Sequence, residues 1–70
     1  MDRQNVDSSM AASVGYDSET STLEIEFRNS GEVWQYYDVP EHVYNEMMGG
    51  SIGRYFQNEI KNQYRENRVA

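Results

Sequence analysis

Cysteine is absent from this chain, histidine and proline occur once each, and carboxylates outnumber cations two to one. Without cysteine there is neither a disulfide nor a thiolate metal site, and the lone His42 cannot build an imidazole-rich one, even with Glu46 four residues on. No metal and no cofactor is therefore expected. Apolar runs never exceed three residues, which leaves no signal-peptide core and no membrane-spanning stretch. A cytoplasmic protein without a membrane partner is expected. Serines are present, but no base accompanies them that would activate a nucleophile, so the chain reads as a non-enzyme.

Charge is scarce in one sign and uneven in place. The net charge of −6 opposes loose binding to nucleic acid, which depends on cations neutralising phosphates. Residues 1–50 hold Arg3 and Arg28 against ten acids, a net of −8. Residues 51–70 hold Arg54, Lys61, Arg65 and Arg68 against Glu59 and Glu66, a net of +2. Seventy residues allow one small domain, and a chain of that size buries only roughly 60% of its unfolded surface. A homo-oligomer is expected to supply the missing core.

Residues 1–9 are polar and aperiodic and read as a flexible arm before a single domain over residues 10–67. Met10, Ala12, Val14 and Tyr16 alternate with Ala11, Ser13, Gly15 and Asp17, the period of a half-buried strand. After the turn residues Asp17 to Ser21, Leu23, Ile25 and Phe27 alternate with Glu24, Glu26 and Arg28, giving one dry face and one charged, solvent-facing one. Asn29-Ser30-Gly31 marks a hairpin, and Glu32 to Val39 returns as a third strand. A three-residue loop would pair Phe27 with Val33, while a two- or four-residue loop would pair Phe27 with Trp34 and Ile25 with Tyr36. The second register is preferred, because it puts the only tryptophan on the dry face.

Pro40 can open a helix capped by Asp38 or Val39, with Val43, Tyr44, Met47 and Met48 as its apolar face and Gly49-Gly50 as its end. Ser51 caps a second helix whose stripe is Ile52, Phe56, Ile60 and Tyr64. On that helix Arg54, Lys61, Arg65 and Arg68 fall within roughly 60° of one another, with Asn58 beside them. The fold class read from this order is α+β, a three-stranded antiparallel sheet with two C-terminal helices packed on one face.

In that order the residues resemble the KTSC domain, a small domain found at the C-terminus of some lysyl-tRNA synthetases and as a stand-alone protein in bacteria and phages. The resemblance is carried by Ser8-Ser9, Val14-Gly15-Tyr16-Asp17, Leu23 to Phe27, Ser30-Gly31, Asp38-Val39-Pro40 with Val43-Tyr44, and Ser51-x-Gly53-x-Tyr55-Phe56 before Ile60-Lys61. It covers about residues 8–65. The family's central Tyr-x-Tyr stands here as Trp34-Gln35-Tyr36, and Gln57 stands where Asn is common. The resemblance implies no established enzymatic activity, and a link to RNA only through the attachment to a tRNA synthetase.

Three candidate sites follow. Around Ser51, the amides of Ile52, Gly53 and Arg54, the Ser51 hydroxyl and the Arg54 guanidinium could meet on one phosphate or carboxylate; the plainer alternative is that Ser51 is only a cap and Gly53 a packing contact. Tyr37 and Tyr55 are the tyrosines best placed to be exposed and to stack a base beside that anion, with Asn58 and Lys61 adding polar contacts. The stripe of Arg54, Lys61, Arg65 and Arg68 could instead follow an RNA backbone, or be a solvated helix face. The function expected is a non-enzymatic binding module for a nucleotide-like anion, such as a small cyclic nucleotide signal sequestered in an oligomer. The alternatives are an RNA-binding accessory domain and a protein-protein assembly module.

Overall fold

The strand that alternates most cleanly in the sequence is the middle of the sheet. In the computed structural model, which describes residues 1–70, β3 (Thr22–Phe27) lies between β2 (Ala11–Asp17) and β4 (Val33–Tyr36), and the sheet is antiparallel throughout. It has five strands rather than three. The outer two are β1 (Gln4–Asn5), paired with β2, and β5 (Glu66–Arg68), paired with β4, so the spatial order is the chain order. Residues expected as a flexible arm are thus tied into one edge, and the chain's last residues into the other.

The β2 to β3 pairing runs Val14↔Ile25 and Tyr16↔Leu23, then slips between Ala11 and Ser13 so that Ala11 faces Phe27. This bulge reverses the alternation at the start of β2. Ala11 and Val14, of opposite parity in the sequence, are both fully buried on the core face. The hairpin into β4 turns over Arg28 to Gly31, with Gly31 at a φ of 73°, a region glycine enters without steric cost. Its register is Ile25↔Trp34 and Leu23↔Tyr36. Those pairs are two residues away from the preferred expectation. A shift of two preserves the face, so Trp34 and Tyr36 do share the dry side with Leu23, Ile25 and Phe27.

Helix α1 (Glu41–Met48) starts after Pro40, which caps it without a side-chain bond, and ends at Gly49, whose N–H reaches the carbonyls of Asn45 and Glu46. It buries Val43 and Met47. Helix α2 (Ile52–Tyr55) starts at Ser51 and widens into a π-helical turn over Phe56–Ile60, closed by Lys61 N–H to the Phe56 carbonyl at 2.9 Å. There the helix stops. Lys61 is extended, Asn62 has a φ of 65°, and the chain crosses to the free edge of β4. The expected helix through Arg65 and Arg68 does not form, because pairing with Trp34 to Tyr36 satisfies a row of backbone groups that a longer helix would leave open.

The core lies between the sheet and these helices. Leu23, Ile25, Val14, Val39, Met47 and Ile60 are completely buried in it, and Phe56 meets Phe27 and Tyr36 edge-on with ring centroids 5.6 and 5.5 Å apart. The face without helices is not the simple solvent face that Glu24 and Glu26 suggested. Glu24 is only 6% exposed: Arg3, carried on the strand-forming arm, makes an ion pair with it, and Gln35 donates to its other oxygen at 2.8 Å. Arg3 also donates to the Ser13 hydroxyl at 2.9 Å, and that hydroxyl donates to Glu26 at 2.8 Å.

Candidate functional site

The π turn and the β3 to β4 hairpin leave a groove between them. It has a volume of about 380 Å³, an apolar floor of Met10, Phe27, Trp34, Tyr36 and Phe56, and a rim that includes Asn29, Gln57, Lys61, Asn62 and Glu66. Five of its twelve lining residues are apolar and seven are polar or charged, so it offers an aromatic surface inside a polar rim. Glu32 also stands on the rim, but it is engaged: it accepts from Trp34 Nε1 at 3.0 Å and faces Arg68 at 3.6 Å. Burial, with the nearby Glu66 carboxylate, pushes the Tyr36 phenol up.

Beside the groove is a second hollow of about 370 Å³, lined by Asp7, Ser8 and Ser9 on one side and Ser51, Gly53 and Arg54 on the other. Met10 and Gln57 line both depressions, so they adjoin. The Ser51 hydroxyl accepts from Arg54 N–H at 3.3 Å, which is the ordinary capping bond. Gly53 has the Met10 Cβ 3.5 Å from where its own side chain would start, so it is also a packing contact. Ser51 is thus a cap and Gly53 a packing contact, whatever else they do. The Arg54 side chain makes no salt bridge and lines the hollow.

Arg54 and Ser51 also line a third depression of about 410 Å³, with Tyr55, Asn58 and the carboxylates Glu46 and Glu59. Tyr55 donates to Glu46 at 3.2 Å, and slight burial together with these two carboxylates raises its pKa. An anion is disfavoured there by two like charges. Tyr55 and Asn58 thus lie near Ser51, but on its acidic side.

Of the other residues expected at the site, Lys61 lies on the groove rim and Tyr37 is elsewhere. Tyr37 is on the opposite face of the sheet, donating to Gln35 at 3.1 Å beneath the Arg65 guanidinium, which is 5.2 Å from the ring centroid. The basic stripe is likewise dispersed. Arg54 is on α2, Lys61 just past the π turn, Arg65 over Tyr37, and Arg68 on β5 beside Glu32. No common helix face presents these four charges to a nucleic-acid backbone.

Residues 7–64 match the KTSC domain. The chain belongs to the KTSC domain family. An uncharacterized protein of Stutzerimonas stutzeri (strain A1501) is 38% identical over 65 residues, spanning 91% of this chain and 90% of its own. The crystal structure of a KTSC domain protein from Yersinia pestis is similar at a TM-score of 0.93 and 38% identity, covering 99% of this chain and 97% of that one. The KTSC segment omits residues 1–6 and 65–70, which hold β1 and β5, yet the likeness to the Yersinia structure extends over them.

Within this KTSC domain the sequence reading missed Met10 and Gln57, the two residues at the junction, and favoured core packing for Trp34 over a stacking role. Trp34 is half-buried, with one side on the core and the other on the groove. A signal for Gln57 and Lys61 did exist: they stand four apart, the spacing of one helix face, next to the aromatic pair Tyr55-Phe56.

Proposed function

We propose that this KTSC domain is a non-enzymatic cytoplasmic binding module for a small nucleotide-like anion, held across the groove and the adjoining hollow. The observation that carries the reading is the junction itself: Met10 and Gln57 belong to both depressions. One ligand can lay a planar ring on the aromatic floor and place its phosphate beside Arg54, Ser9 and Ser51. Glu66, Lys61 and the amide side chains on the groove rim suit hydroxyl and amine groups of a nucleoside. The aromatic floor favours the ring in the groove, and Arg54, which makes no salt bridge, favours the anion in the hollow, where Asp7 is the one opposing carboxylate. Binding along an RNA backbone finds less support, since the four cations expected to follow it point to separate places.

Trp34 is the only tryptophan and lines the groove, so its fluorescence reports directly on occupancy. Titration with adenosine and guanosine monophosphates, their 3′,5′-cyclic forms and a short single-stranded RNA is expected to change that emission for a mononucleotide. A matching rise in melting temperature should grow with ligand concentration. Arg54→Ala should weaken binding about tenfold, the loss of one charge-assisted hydrogen bond. No spectral or thermal response to any mononucleotide at millimolar concentration rejects the proposal; a response to RNA alone, falling steeply with salt, supports a backbone-binding accessory domain instead.

A further inference from the structure

Half of the proposed phosphate hollow is built from the N-terminal arm, which contributes Asp7, Ser8, Ser9 and Met10. An arm at the edge of a two-residue strand has little packing of its own to hold its shape. Beyond the β1 pairing and the Val6 N–H bond to the Ala12 carbonyl at 3.1 Å, one residue makes most of the contacts to this wall. Arg28, in the turn after β3, donates from Nε to the Ser8 carbonyl at 2.8 Å and from Nη2 to the carbonyls of Val6 and Ala11, both at 3.0 Å. Its own N–H donates to the Met10 carbonyl at 2.9 Å. Four carbonyls on either side of Ser9 are thus gathered by one residue from a distant part of the chain. A guanidinium, with donors fixed in a plane, can hold several carbonyls in a set geometry, which a lysine ammonium cannot.

We infer that Arg28 is a positioning residue for the ligand site: it touches no ligand, and it holds the Ser8 to Met10 wall opposite Ser51 and Arg54, across the hollow proposed for the phosphate. The inference rests on reading the two depressions as one ligand site. It assigns Arg28 a role that its place, on an exposed hairpin turn outside all the depressions, does not suggest. Arg3 pins the same arm at its other end, onto Glu24, and leaves the wall itself untouched.

The test compares Arg28→Ala, Arg28→Lys and Arg3→Ala at a temperature where each is folded, using hydrogen exchange and adenosine 5′-monophosphate titrated against Trp34 fluorescence. For Arg28→Ala, exchange at the Met10 and Ala11 amides should quicken, since these rest on the Ser8 hydroxyl at 3.1 and 3.2 Å. The nucleotide dissociation constant should rise about tenfold. Arg28→Lys should not restore affinity, because charge without the planar fork does not gather the carbonyls. Arg3→Ala should quicken exchange at Gln4 and Asn5 and change affinity less than twofold. Unchanged exchange at Met10 and Ala11 in Arg28→Ala overturns the inference whether or not the nucleotide binds. Quickened exchange with an unchanged dissociation constant overturns it too, reducing Arg28 to a stabilising contact, and full rescue by lysine would make its charge the active feature. Absence of binding in the unmodified protein rejects the ligand reading and leaves the exchange result to decide whether Arg28 shapes the arm.

Discussion

Glu24 keeps a carboxylate almost out of solvent on the side of the sheet that has no helices. Burial by itself raises its pKa, but the hydrogen bonds from Gln35 and Arg3, the Arg3 charge and the N-terminal amine together hold it below the ordinary range of a glutamate. A group whose pKa is lower folded than unfolded adds stability above the unfolded pKa and loses it as the pH falls through the folded one. The melting temperature should therefore drop more steeply from pH 7 to pH 3 in the unmodified protein than in Glu24→Gln, and parallel curves would rule this out. The sequence could not show this: alternation placed Glu24 correctly away from the core, but only the pairing of Gln4 with Val14 brings Arg3 over it. Gly15 is the one residue that hinted at the covering. A methyl group there would sit 2.5 Å from the Asp2 carbonyl, so the arm can cross β2 only over a glycine.

Among the elements, the second helix was legible at its start and illegible at its end. Ser51 as cap and Phe56 and Ile60 as buried positions follow from spacing and capping chemistry. Residues 61–68 contain no proline or glycine, and Asn62, which can cap a helix end at positive φ, is the one local stop signal before Arg65. Tertiary pairing with β4 ends it, which overrides weak helical preference. Asn62 makes the exit, at a φ of 65° where asparagine is tolerated and β-branched residues are not. Asn62→Gly should be neutral or slightly stabilising, and Asn62→Val should cost about 1–3 kcal/mol by urea denaturation. Equal stability of the two variants would show that the turn can form another way. The groove was missed for the same reason, since Lys61, Asn62 and Glu66 reach it only because the chain leaves the helix there.

The whole molecule exposes 4339 Å², close to the roughly 4,500 Å² that a compact monomer of its mass presents. Its large exposed hydrophobic residues are Met1 and Val69, both near chain ends, and they form no broad apolar patch. Both sheet edges are short, at two and three residues, which discourages pairing between copies. The expectation of an oligomer came from the small core that a chain of this length can bury, whereas these surfaces favour a monomer in solution. Light scattering is expected to return a mass near 8.2 kDa with and without nucleotide. A doubled mass would restore a pocket shared between subunits.

Strands β1 to β4 are joined in sequence by turns or short loops, whereas β5 meets β4 only after both helices, pairing Arg68 with Trp34. Local pairings form quickly and distant ones wait for loop closure. During synthesis, then, four strands and α1 can assemble while the final residues are still inside the ribosome. The rim residue Glu66 and the Arg68 partner of Glu32 arrive with that last strand. The binding groove is consequently the final part of the protein to be finished, and a chain released a few residues early would fold most of its sheet and lack a wall of its site.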